Sequence, residues 1–338
     1  MTAVEHAEHL LAERDLPAAA GAFHAAAAFG DVDRCAGGLW LTHMLLGDFA
    51  AAWRQSDYLR GRGAPDPHRF WNGEEIGGKR LMLRCLHGFG DAVQMLRYLP
   101  DLQQRCSSVA VEVPPRLLAL AACFAGIGNV ITWGEGAPAE PSAWDVQVEI
   151  MELPYLFRTT CAELPIATCY LTVPPEAQRE VIPFMSGTRK RVGVVWSTGE
   201  WNRTRAIPFE CVQALVKDND IEFWNLQGGA EHDEWNALAG DNLRDGADAG
   251  EGILTLAALI EQMDLIVTAD TLAAHVAGAL GKPAWVVLQY AADWRWMHAR
   301  SDSPWYPSLR LFRQTSAGDW GSAMVQVQTA LSQWKVAA

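Results

Sequence analysis

The chain has 338 residues, half of them hydrophobic and a fifth charged, with 40 acidic side chains against 27 basic ones and a net charge of −13. That length suits two domains with a small extra module, and the composition supports a sizeable core. The acidic balance argues against nucleic acid or an anionic membrane as the main partner, while leaving room for a local basic pocket.

Residues 1–72 read as helices, because the stretch is rich in alanine, Asp31 and Asp48 stand where helix caps belong, and Pro17 takes a permitted first-turn position. Asp15-Leu16 and Asp48-Phe49 lie 33 residues apart, each followed by a pair of small residues, Ala18-Ala19 and Ala51-Ala52. The spacing is close to the period of tetratricopeptide helix pairs, with room for about two units. A repeat that contacts a peptide or protein and an ordinary helical cap both stay open.

From Arg80 short apolar runs alternate with helical patterns. Strands are expected at Arg80–Leu86, Val109–Val113, Val130–Trp133 and Val146–Ile150, with helices at Asp91–Arg105 and Pro114–Phe124. A proline-bearing linker with one helix spans Thr172–Lys190. A second alternation follows, with strands at Arg191–Trp196, Ile221–Leu226, Leu265–Thr268 and Ala284–Leu288, and helices at Pro208–Lys217, Ile253–Met263 and Thr271–Leu280. Strand and helix alternating in this way implies an α/β protein with two Rossmann-like halves, and clefts between domains are where small ligands bind. The expected limits are 1–72 for the helices, 73–180 for a first half and 181–338 for a second.

Three strand-to-helix turns hold the candidate residues. His87-Gly88-Phe89-Gly90-Asp91 pairs two glycines, which let backbone approach a ligand, with a carboxylate at a helix start. Val93 stands where a dinucleotide fingerprint needs its third glycine, so a nicotinamide cofactor is not expected, and a plain turn capped by Asp91 accounts for the same residues. Ser197 to Pro208 brings a glycine, hydroxyl residues, Arg203 and Arg205 to a strand's carboxyl end, where guanidinium forks suit a diphosphate. Thr268 to His275 places Asp270, Thr271 and His275 at a helix start, whose free N–H groups attract anions. Asp270 as a simple cap and His275 as a core histidine remain alternatives for that turn.

Gly88-Phe-Gly-Asp-Ala-Val-Gln94, Arg97-Tyr-Leu-Pro100, Arg205-Ala-Ile-Pro208 and Asp270-Thr271 to His275-Val-Ala-Gly-Ala-Leu-Gly-Lys-Pro283 together resemble tetratricopeptide-linked bacterial glycosyltransferases related to the ADP-heptose:lipopolysaccharide heptosyltransferases. Trp285 to Tyr290, Asp293 to Trp296, Ser303 to Pro307 and Leu311 to Gln314 extend the resemblance over about residues 70 to 325. It implies the GT-B architecture of two facing Rossmann-like domains, here with an N-terminal all-helical TPR-like cap. The implied chemistry is inverting, metal-independent transfer of a sugar from a nucleoside-diphosphate donor to a glycan or protein acceptor, with the donor on the second half. Carried over by position, Asp91 resembles the catalytic carboxylate, Arg205 falls where the family has a lysine for the donor phosphate, and Asp270, Thr271 and His275 match its donor motif. Leu272 stands where that motif has glycine.

Seven scattered cysteines with no C-x-x-C pair, and no Asp-x-Asp at a strand end, point away from a zinc site, a disulfide framework or a metal-dependent transferase. No cofactor is expected. Among the 15 tryptophans, Trp294, Trp296 and Trp305 follow the last expected strand, and at least one, Trp294 foremost, is expected to line a cleft against a base or sugar ring. No stretch reaches the roughly 18 uncharged apolar residues of a membrane span and no leader pattern opens the chain, so a cytoplasmic protein without an integral membrane segment is expected. A sugar-nucleotide epimerase and a catalytically silent binding protein are the alternatives to a transferase.

Overall fold

The computed structural model describes residues 1–61, 70–133, 143–165, 169–185, 187–229 and 231–336. The end of the expected helical stretch, 62–69, and Ser186 of the expected linker lie outside these. Four helices come first: α1 (Ala3–Ala12), α2 (Leu16–Ala26), α3 (Val32–Leu46) and α4 (Phe49–Arg60). Next come β1 (Arg80–Arg84), α5 (Phe89–Met95), α6 (Leu99–Gln103), β2 (Ser108–Val113), α7 (Leu118–Ala121), β3 (Val130–Thr132), β4 (Val146–Glu149), α8 (Leu153–Leu156) and α9 (Pro175–Val181). After them follow β5 (Lys190–Val195), α10 (Phe209–Leu215), β6 (Ile221–Asn225), α11 (His232–Asn236), β7 (Leu243–Asp245) and α12 (Ile253–Gln262). The chain ends with β8 (Leu265–Ala269), α13 (Leu272–Ala279), β9 (Ala284–Leu288), β10 (Leu309–Arg313) and α14 (Trp320–Trp334).

Two compact units result. The first joins Met1–Glu74 with Glu152–Ile166 and Ala291–Arg300; the second holds Glu75–Met151, Ala167–Tyr290 and Ser301–Ala338. In the first unit the 33-residue echo has a structural counterpart. Asp15 caps α2 by accepting from the Ala18 N–H at 3.2 Å, and Asp48 caps α4 by accepting from Ala51 at 3.1 Å. Leu16, Ala19, Phe49 and Ala52 are buried at matching positions. Asp31 differs from expectation: it precedes α3 in the left-handed region at φ 51° and its side chain caps nothing, a conformation a short polar side chain tolerates. The two later segments pack on this helical layer. Trp53 donates to the Thr159 carbonyl at 2.7 Å, Arg158 grips the Asp57 carboxylate through both Nη atoms, and His298 N–H bonds to the Leu45 carbonyl at 2.8 Å.

The second unit carries two parallel sheets, ordered β3-β2-β1-β4 and β10-β9-β8-β5-β6-β7. Helices cover both faces of a parallel sheet, so its central strands are largely apolar. Every residue of β6, β8 and β9 is buried. In the first sheet the chain builds outward from β1 through β2 to β3 and then returns to β4 on the other side of β1. In the second it builds from β5 to β7 and returns to β8 beside β5. Such reversals open a crevice at the carboxyl ends of the strands concerned, and this is where open α/β sheets bind ligands.

Some elements depart from the expected ones. The single helix expected over Asp91–Arg105 is broken into α5, a 3₁₀ turn at Leu96–Tyr98 and α6. Pro100 lies in the first turn of α6; its ring and missing N–H would not fit inside one continuous helix. The edge strands β7 and β10 and the 15-residue α14 lie outside the expected elements. α14 starts on an Asp319 cap and packs Trp320, Ala323, Met324, Val327, Ala330 and Leu331 on the second sheet at helical spacing.

Candidate functional site

The three candidate turns follow β1, β5 and β8, the strands at which the two sheets reverse direction. After β1, Gly88 precedes α5 and Asp91 sits in its first turn, half-buried, with Oδ2 accepting the Gly88 N–H at 3.0 Å. Gly90 is needed for space rather than for its torsion angles. A Cβ there would lie 2.6 Å from Cδ2 and 3.2 Å from Nε2 of His275. The turn bearing Asp91 therefore lies directly against the imidazole of the third turn, although 184 residues separate Asp91 from His275.

After β5, the Ser197 N–H donates to Gln227 Oε1 at 2.9 Å and the Thr198 hydroxyl to the Asn202 carbonyl at 2.8 Å, which tie the loop down before a 3₁₀ stretch, Glu200–Arg205. Thr204 donates to Gln289 Oε1 at 2.8 Å, bringing in the residue that follows β9. Arg203 is exposed, whereas Arg205 is largely buried with Nη1 3.4 Å from Asp270 Oδ2. After β8, Asp270 is 3 % exposed and Thr271 does the capping: its hydroxyl accepts from Ala273 N–H at 3.3 Å and lies 2.9 Å from the Thr268 hydroxyl. The arrangement thus holds a buried Arg–carboxylate pair, a capped helix start and a histidine together, a set able to receive an anion.

The imidazole of His275 is buried, and its Nδ1 lies 3.0 Å from the Tyr306 hydroxyl. Around Tyr306 is a cluster that the residue pattern alone did not flag as a site. Arg97, 2 % exposed, donates from Nε to the Gln94 carbonyl at 2.8 Å, from Nη1 to the Trp305 carbonyl at 2.6 Å and from Nη2 to the Tyr170 hydroxyl at 3.2 Å. Arg97 and Trp305 are 208 positions apart in the chain. Burial pushes the Tyr306 phenol well above its ordinary value, with Tyr170 adding to the effect and Arg97 opposing it.

Trp296 and Trp305 do not form the expected aromatic wall. Trp296 and Trp305 are fully buried, and Trp294 belongs to the first unit, where its ring meets Trp40 and Phe49 edge-on at centroid distances of 5.9 and 6.4 Å. Packing is the role this arrangement gives Trp296 and Trp305, because large rings are covered most readily by a core. Among the described residues no group of three or more His, Cys, Asp or Glu is placed to hold a metal ion, and no helix is long and apolar enough to cross a membrane.

No family model matches the chain. A curated relative, Protein FlbA of Caulobacter vibrioides, is 27 % identical over 326 residues, covering 85 % of this chain and 53 % of that protein, so the chain spans about half the relative's length. Among solved structures, the glycosyl transferase family 9 protein of Veillonella parvula aligns with a TM-score of 0.59 at 12 % identity, covering 79 % of this chain and 100 % of that one. ADP-heptose lps heptosyltransferase II of E. coli gives 0.57 at 16 %, covering 76 % and 98 %. E. coli heptosyltransferase WaaC, solved with ADP-2-deoxy-2-fluoro heptose, gives 0.53 at 13 %, covering 75 % and 99 %. The two parallel sheets thus have the GT-B glycosyltransferase fold that the residues resembled.

Proposed function

We propose that this chain is a glycosyltransferase that moves a sugar from a nucleoside-diphosphate donor to a glycan or protein acceptor, with inversion and without a metal ion. The observation that carries the reading is the meeting of the Asp91 turn with His275, each at the carboxyl end of a strand where its sheet reverses. A base on one sheet and an anion-receiving helix start on the other, in contact, are what a transfer between two bound sugars requires. In this reading Asp91 takes the acceptor hydroxyl's proton as it attacks the anomeric carbon. Arg205, Thr271, His275 and the start of α13 hold the leaving diphosphate, whose charge grows in the transition state. Gly88 and Gly90 keep the turn small enough for its backbone to approach the donor and for the His275 ring to pack against it, and Ser197 and Arg203 border the donor.

The 33-residue echo of capped helices supports a TPR-like role for the N-terminal region, as a contact for a peptide or protein acceptor. One departure favours a second reading, a catalytically silent binding protein: Leu272 opens α13 where the resembled family has glycine, so less backbone is open to a phosphate there. Thermal-shift measurements with ADP, UDP and GDP and their sugars, in chelator, test the first reading. Binding without a divalent ion is expected, and a nucleotide at about 100 times its Kd adds about 2.7 kcal/mol. Sugar transfer by the binder separates an enzyme from a silent protein. Absence of stabilisation by every nucleotide, or an obligatory divalent ion, would overturn the reading.

A further inference from the structure

We propose that Tyr306 is a positioning residue for His275: its hydroxyl donates to Nδ1 and so keeps the imidazole proton on Nε2, the edge of the ring that faces Gly90. The inference rests on the donor-site reading above, since the anion that Nε2–H would meet is a nucleoside diphosphate.

Donor and acceptor accounting carries the argument. Arg97 has five N–H donors and no lone pair. Its guanidinium lies 4.6 Å from the Tyr306 ring centroid and 5.2 Å from that of Tyr170, in a pocket closed to water. Hydroxyls beside a buried cation turn their oxygen lone pairs toward it and their protons away. Tyr170 does so: its oxygen accepts from Arg97 and its proton goes to the Val93 carbonyl at 3.1 Å. For Tyr306 the direction away from the cation leads to His275 Nδ1, 3.0 Å off. Burial holds the phenol in its protonated form, so it has a proton to give. A neutral imidazole that accepts at Nδ1 carries its proton on Nε2.

Two glycines make this geometry fit. A Cβ on Gly278 would stand 2.2 Å from the Tyr306 ring, and one on Gly90 2.6 Å from His275, so both rings occupy space that side chains elsewhere on α13 and α5 would fill. The consequence is chemical. With the proton on Nε2 that edge of the ring can donate to a phosphate oxygen; the other tautomer would aim a lone pair at the anion.

Histidine ¹⁵N spectra of the full chain test this, with His275→Gln used to find the His275 signals among the nine histidines. The expected native pattern is a bare Nδ1 and a protonated Nε2, and Tyr306→Phe, which removes only the hydroxyl, is expected to average the two nitrogens and weaken ADP or UDP binding about tenfold. A protonated, non-accepting Nδ1 in the native protein, or the same tautomer in Tyr306→Phe, would overturn the inference. Should that variant fail to fold, the native spectrum decides alone, a bare Nδ1 supporting the inference and a protonated Nδ1 overturning it. The two readings fail separately. A tautomer that responds as stated while neither ADP nor UDP moves any His275 signal supports the positioning role and rejects the donor site. Nucleotide binding with an unresponsive tautomer does the reverse.

Discussion

The turn after β1 and the turn after β8 share a local pattern, an aspartate at the start of the helix that follows a strand, yet the two carboxylates have different surroundings. Asp91 lies inside the first turn of α5, half-buried, and accepts its own Gly88 N–H. Asp270 is buried against Arg205 and leaves the capping of α13 to Thr271. A carboxylate within reach of solvent and substrate suits proton transfer, whereas one buried against a guanidinium is spent on holding that cation in place. The contrast teaches that a helix-start aspartate is defined by what its oxygens face.

The largest effect is expected from Asp91→Asn. If Asp91 is the base, transfer measured with a nucleotide sugar falls by about 10²–10⁴. Stability changes by well under about 1 kcal/mol, because asparagine caps nearly as well as aspartate. Turnover that survives the change would make the two aspartates alike in being merely structural. Asp270→Ala inverts the pattern: removing the carboxylate 3.4 Å from a largely buried Arg205 is expected to cost about 3 kcal/mol in denaturant unfolding. A loss no larger than that of Asp91→Asn would dissolve the distinction.

Arg205→Ala is expected to weaken nucleoside-diphosphate binding by roughly 1.5–3 kcal/mol, read by calorimetry, through loss of a charge-assisted contact. Unchanged affinity would move the phosphate site away from the β8 turn. Gly90→Ala sharpens the comparison from the other side. Its Cβ would press on a histidine already held by Tyr306, and overpacking of this kind costs about 1–3 kcal/mol. A melting temperature equal to the native one would show that the two turns are not in firm contact. The smallest effect is that of Thr271→Ala, about 1 kcal/mol for a lost cap. An equal loss on Asp270→Asn would mean that the aspartate shares the capping.

Much of the fold was legible because it is written in short-range terms. Parallel strands covered on both faces are continuous apolar runs, as at Leu265–Ala269 and Ala284–Leu288, and each central strand was found within a residue or two of its ends. The break in the helix after Gly90 has a local signal in Pro100, whose ring and missing N–H end one helix and open another. The edge strand β7 has three half-buried residues and no run of its own to see. In the site, the candidate turns after β1, β5 and β8 were recognisable from glycines, hydroxyls and charges at strand ends. Trp296 and Trp305 line no open surface; a tryptophan near a strand end reads the same whether a ligand or the core covers it.

By itself the sequence determined the alternation of strand and helix, the cap at Asp48, the echo of Asp15-Leu16 in Asp48-Phe49 33 residues on, and the three turns where charge meets a helix start. These depend on propensity, periodicity and hydrogen bonds between near neighbours, which leave a pattern along the chain. Only the tertiary structure decided that Gly90 touches His275, that Arg205 answers Asp270, and that Arg97 reaches Trp305 and Tyr170 around a buried Tyr306. Those partners are brought together by the order of strands in the sheets and by the room two glycines leave, and no local period along the chain records either.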